Sequence, residues 1–155
     1  MEETVHEYDV FSMYGFSTEY PDTWKLELNA KGDRTAGDAV FKAPRHRSRT
    51  SRHYVYLSWG PLELVKEKYG SLERHAEASV EKIRKGSGVL ELEVLENKKT
   101  RANGHKAIYN RFKVTLGVGL FAMKKAYREV SLIHWCCEKT GRFFVLSESI
   151  IVPSS

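Results

Sequence analysis

Residues Lys125–Cys137 and Arg142–Ile150 read as two long strands that are apolar on both faces. Along the first, Tyr127, Ile133 and Trp135 share one face, while Val130, Leu132 and Cys136 share the other. Along the second, Phe143 and Val145 oppose Phe144 and Leu146, and Glu138–Gly141 supplies the intervening turn. Strands apolar on both faces need cover on both faces. The sheet they belong to is therefore expected to lie between two layers.

The rest of the chain supplies more strands than helices. Phe16, Thr18 and Tyr20 alternate, Pro21-Asp22 turns, and Trp24, Leu26 and Leu28 alternate again, so two half-buried strands joined by a short turn are expected. Asn29–Asp38 is a polar, glycine-bearing loop, Ala39–Ala43 a short strand, and Tyr54–Trp59 a strand that stops at Gly60-Pro61. Leu90, Leu92 and Val94 alternate with Glu91 and Glu93. Asn103-Gly104 predicts a type I′ hairpin, because that turn needs positive φ at both positions. Ile108, Phe112, Val114 and Leu116 return along the partner strand until Gly117–Gly119.

One helix is clear, over Ser71–Lys85. Ser71 suits its N-cap, Glu73 its first turn, and Lys82, Arg84 and Lys85 its last, while Leu72, Ala76, Val80 and Ile83 form one apolar stripe. Leu62–Tyr69 is a lead-in turn or short helix ending at Gly70. One helix cannot cover both faces of a sheet. Either short segments make the second layer, or another copy covers the open face in a homodimer, or the chain is shortened at its C-terminus.

At 155 residues the chain fits a single domain, 1–155, and such a domain buries roughly 70% of its unfolded surface. No apolar run approaches the ~20 residues that span a bilayer. The acidic start, Met1 to Asp9, lacks the layout of a signal peptide, so a cytoplasmic location is expected. Cys136 and Cys137 are neighbours that point to opposite faces of a strand and cannot bridge without strong distortion. No disulfide is expected, and the two read as small apolar core residues.

Lys42, Arg45, Arg47, Arg49 and Arg52 lie between Phe41 and Tyr54 with no acid among them, and the net charge of the whole chain is +5. Everything outside that segment is therefore neutral. Residues 44–53 have no apolar side chain apart from a proline and read as an exposed, mobile basic loop. Arginine forks recognise carboxylates and phosphates bidentately. Arg45, Arg47, Arg49 and Arg52 are thus the candidate partner-binding residues, and an acidic protein surface is the partner they suit. Nucleic acid is a weaker match, because no interleaved aromatics offer stacking platforms. A solvated loop without a partner is the plain alternative.

Three segments together resemble the PsbP-like superfamily, which includes the extrinsic PsbP protein of photosystem II and the Ran-binding Mog proteins of fungi. They are Tyr14-Gly-Phe-Ser-Thr-Glu-Tyr-Pro-Asp-Thr-Trp24, the strand pair around Asn103-Gly-His-Lys-Ala107, and Trp135 followed by Gly141-Arg-Phe-Phe-Val-Leu146. The resemblance implies an α+β fold, an α-β-α sandwich with a central antiparallel sheet of six or seven strands and a helix after the last strand, which this sequence lacks. It implies a binding or accessory protein, and carries over no site residue. A curved sheet wrapped around a long helix is the alternative fold.

No catalytic motif is present: no GxSxG, P-loop, HExxH or GxGxxG. His134 and Cys136 share a strand face, yet a packed histidine is the simpler reading. The six histidines are scattered, and neither a metal site nor a cofactor is expected. Trp24, Trp59 and Trp135 are either core residues or the wall of a ligand cleft, the latter giving a small-molecule carrier as the alternative function.

Overall fold

The structure, a computed structural model, describes residues 7–13, 16–30, 35–44 and 53–152. Its centre is a seven-stranded antiparallel sheet in the order β3-β4-β5-β9-β8-β7-β6. The strands are β3 (Lys25–Ala30), β4 (Gly37–Lys42), β5 (His53–Pro61), β6 (Val89–Ala102), β7 (His105–Val118), β8 (Lys124–Cys137) and β9 (Arg142–Val152). A separate two-stranded sheet pairs β1 (Tyr8–Met13) with β2 (Phe16–Pro21). The helices are α1 (Leu62–Tyr69) and α2 (Leu72–Arg84). This is the expected α+β sandwich around a central antiparallel sheet. The longest described helix, α2, has 13 residues and lies on the sheet rather than being wrapped by it.

Local chemistry accounts for the element ends. The Ser71 side chain caps α2 by accepting from the Arg74 amide at 3.2 Å. Gly70 ends α1 with φ +84°, and its N–H returns to the carbonyls of Val65 and Lys66. Asn103 and Gly104 have φ +50° and +79°, the type I′ turn predicted between β6 and β7. At Gly60 a Cβ would stand 2.7 Å from the Phe143 ring, so glycine lets that ring lie against β5.

The helices sit on one face of the sheet. Val80 of α2 packs on Leu92, Phe112, Val114, Val130 and Leu132, side chains that alternate onto that face from β6, β7 and β8. Phe112 is fully buried, and a phenylalanine so placed contributes about 1.5–3 kcal/mol. The β1–β2 hairpin covers the opposite face over the other half of the sheet. There Phe11 meets Phe41 edge-on, with ring centroids 5.7 Å apart, and lies 6.2 Å from Trp59 in a core completed by Leu57, Trp135 and Phe144. The two layers are thus set diagonally across the sheet. The demand for cover on both faces is met in part by a hairpin, the short-segment solution.

The structure sharpens two of these expectations and corrects a third. The two strands joined by the turn after Pro21 are present, but they do not pair with each other: β2 pairs back with β1 and β3 forward with β4, so the turn is a corner between two sheets. Of Leu90, Leu92 and Val94 only Leu92 is buried: β6 is the edge strand of the sheet, and its pairing is irregular at Val89/Glu91 and Val94/Glu96. Trp59 and Trp135 are core residues, the first of the two readings: they lie beneath the hairpin, and each is 4% exposed.

Candidate interaction surface

The basic connection joins β4 to β5. Arg45, Arg47, Arg49 and Arg52, with the rest of residues 45–52, lie outside the described residues. Its base is described. The Ala43 amide donates to the His53 carbonyl at 3.0 Å, closing the two strand ends. Lys42 donates to Glu27 at 2.9 Å, and Lys25 approaches the same carboxylate at 3.4 Å. The hydrogen bond and charge of Lys42 hold the Glu27 carboxyl below its usual range. His53 stands edge-on to Trp24, with ring centroids 4.9 Å apart, and 3.3 Å from Glu148.

Beside this base, the helix-side face of β3, β4 and the Tyr54 end of β5 lies outside the footprint of both described helices. Apart from Val40, its side chains are mainly polar, and several are bonded to one another. Arg128 of β8 donates through Nε and Nη2 to Ser149 Oγ at 3.0 and 2.7 Å, and through Nη2 to the Tyr54 hydroxyl. Its guanidinium also lies 5.6 Å from the Tyr54 ring centroid. Ser149 is 1% exposed because this guanidinium roofs it. Next along β5, burial and a hydrogen bond to Asp38 push the Tyr56 hydroxyl up to about 12. The Tyr54–Trp59 run of β5, whose aromatic and aliphatic side chains suggest a strand apolar on both faces, is in fact amphipathic. Val55, Leu57 and Trp59 enter the hairpin-side core, and two tyrosines face the polar side.

Under α2 the arrangement is different. Ser79 Oγ lies 3.1 Å from the His75 carbonyl and 2.8 Å from His134 Nε2. A hydroxyl has one proton, and donating it to the carbonyl assigns the His134 proton to Nε2 and leaves Nδ1 without a partner. His134 is fully buried, and burial first, then neighbouring His75, pushes its pKa down to about 3. The His75 ring stacks on Tyr69 and meets His134 edge-on, both with centroids 4.8 Å apart. This serine–histidine pair is sealed by the helix, so it locks packing rather than offering a nucleophile to solvent. Nothing in the short-range sequence signals it, since the partners are 55 residues apart.

Cys136 and Cys137 are free and half-buried rather than core residues. Burial raises the Cys136 thiol, while a hydrogen bond from Thr140 lowers that of Cys137. Among the described residues no group of three or more His, Cys, Asp or Glu side chains could hold a metal ion, and no helix is long and apolar enough to cross a membrane. A cleft of about 390 Å³ opens beside Trp135 and Phe144, with Ser17, Asn103, His105 and Thr140 on its wall.

No family model and no curated protein matches the sequence. Solved structures match the fold. The Ran-binding protein Mog1p of Saccharomyces cerevisiae superposes with a TM-score of 0.58 at 12% identity, over 96% of this chain and 79% of that one. The solution structure of PsbP (CyanoP) from Synechocystis sp. PCC 6803 gives 0.56 at 14% identity, over 99% of this chain and 85% of that one. The chain has the fold these two proteins share, and at such identities the likeness is one of fold.

Proposed function

We propose that this chain is a non-enzymatic interaction or accessory domain whose basic β4–β5 connection, with Arg45, Arg47, Arg49 and Arg52, engages an acidic protein surface. The observation that carries this reading is the charge distribution: the net +5 belongs to one segment between Phe41 and Tyr54, and the rest of the chain is balanced. The polar half-face with Tyr54, Tyr56 and Arg128 adjoins the base of that segment and suits an interface, where tyrosine and arginine are enriched relative to the rest of a protein surface. Mog1p, which shares the fold, is described as Ran-binding, so one protein of this architecture works by binding another.

The test compares the chain with its Arg45→Ser/Arg47→Ser/Arg49→Ser/Arg52→Ser variant by fluorescence anisotropy. The probes are a polyglutamate peptide and a DNA duplex, each titrated across a salt series. Salt-sensitive binding of the peptide, lost in the variant, supports the proposal. Preference for the duplex transfers the role to nucleic acid, and equal binding by both proteins makes the segment a bystander. A homodimer through the helix-free half-face predicts twice the chain mass in solution at micromolar concentration.

A second reading, a small-molecule carrier, draws on the cleft beside Trp135. It predicts a co-purified ligand in native mass spectrometry that Trp135→Ala releases.

A further inference from the structure

The β7–β8 connection carries the most exposed apolar side chains among the described residues. Leu120 is 79% exposed, Phe121 88% and Met123 83%, and they are nearly consecutive. Single exposed apolar residues are ordinary, but three crowded on one projecting turn are not. The backbone holds them there. Gly119 has φ +82°, and Phe121 sits at φ +58°, ψ +25°, a left-handed conformation that is strained for a bulky residue.

The strand register shows what surrounds this finger. Lys124 and Lys125 follow it directly at the start of β8. The Gly117 amide donates to the Gly88 carbonyl at 2.8 Å, which brings the end of α2, with Lys82 and Lys85, to the same end of the sheet. None of these four lysines forms an ion pair among the described residues, whereas Glu81 is held by Arg84 at 2.9 Å. Glu91 and Glu93 line one small cleft with Lys125 on the hairpin side of the sheet, while Lys82, Lys85 and Lys124 stand outside it. Leu90, 52% exposed, adds to the apolar tip.

We propose that this end of the sheet docks on an anionic lipid bilayer, with Leu120, Phe121 and Met123 inserted at headgroup depth and Lys82, Lys85, Lys124 and Lys125 against lipid phosphates. A projecting apolar tip ringed by unpaired lysines matches the two-part attraction of interfacial anchors, apolar burial plus anionic headgroups. A fluid interface accommodates a finger without a shaped pocket. This docking goes beyond the acidic-partner reading, and the site excludes residues 45–52.

The test is flotation of the full chain with vesicles of phosphatidylcholine alone and of equal phosphatidylcholine and phosphatidylserine. The chain should float with the mixed vesicles and lose that association as salt rises. Leu120→Ser/Phe121→Ser/Met123→Ser should weaken binding by about tenfold or more, since one buried Phe side chain alone is worth that factor. Lys124→Ser/Lys125→Ser should weaken it less and reduce its salt dependence. A Phe121→Trp variant should show blue-shifted emission on mixed vesicles and quenching by brominated lipid. The finger residues are exposed, so an unchanged circular dichroism spectrum checks the fold. Failure of the wild-type chain to float, or undiminished flotation of the triple Ser variant, overturns the proposal. So does a triple Ser variant that turns a dimer into a monomer without altering flotation.

Discussion

Ser79 Oγ and His134 Nε2 meet at 2.8 Å beneath α2, joining the helix layer to the C-terminal part of β8 through one buried polar contact. Ser79→Ala leaves the His134 N–H without an acceptor in a site closed to water. It should lower unfolding free energy by about 1–3 kcal/mol. Urea titration should show a lower midpoint with an unchanged slope, since the buried area is nearly the same.

The same histidine makes stability depend on pH. His134 titrates in the fold near about 3 against an ordinary value of 6.5, and burial also lowers His75. Between about pH 6.5 and 3 the unfolded chain takes up a proton that folded His134 refuses, so stability falls as pH falls through that window. Above it both states are neutral and this dependence vanishes. The loss should reach on the order of a few kcal/mol, and His134→Asn should flatten the slope of urea midpoint against pH.

Arg128 holds Tyr54 and Ser149 from a strand that touches neither in sequence. Arg128→Ala should cost about 1 kcal/mol and lower the thermal midpoint by about 3 °C. Arg128→Lys should recover only part of this, because an ammonium cannot reproduce a planar fork with several fixed donors.

The adjacent thiols should react unequally. Cys137, lowered by its Thr140 hydrogen bond, should be alkylated before Cys136, which burial raises. Mass mapping after brief treatment with iodoacetamide at neutral pH checks the order, and equal labelling refutes it.

Features set by nearest neighbours were legible in the sequence. Ser71 and Gly70 punctuate the helices, Asn103-Gly104 fixes its hairpin, and the alternation of β8 and β9 assigns each side chain to the right face. Strand β1 was not legible. In Tyr8-Asp-Val-Phe-Ser-Met13 the large apolar Tyr8 and Val10 are 57% and 65% exposed while Phe11 is buried, so no apolar alternation marks its core face. The pairing of β2 escaped for a related reason: Pro21-Asp22 signals a turn, and turn chemistry alone does not say whether its flanking strands meet. The Arg128–Tyr54 contact spans 74 residues and rests on a sheet order that no local pattern encodes. The finger could have been read from Leu120-Phe-Ala-Met123 between glycines and lysines, an apolar run too short for a strand and in the wrong place for a core.

The diagonal placement of the two layers makes β8 and β9 a shared party wall. Val130, Leu132 and Val145 face the helix-side core, whereas Trp135, Phe144 and Leu146 face the hairpin-side core. Each core is sealed by its own lid, so the β1–β2 lid can lift as a subglobal opening while α2 stays seated on Phe112. Leu132 and Phe144 each belong to one room, but a shift of the β8–β9 backbone that carries them breaches both together, which makes this strand pair the part of the fold least able to drift.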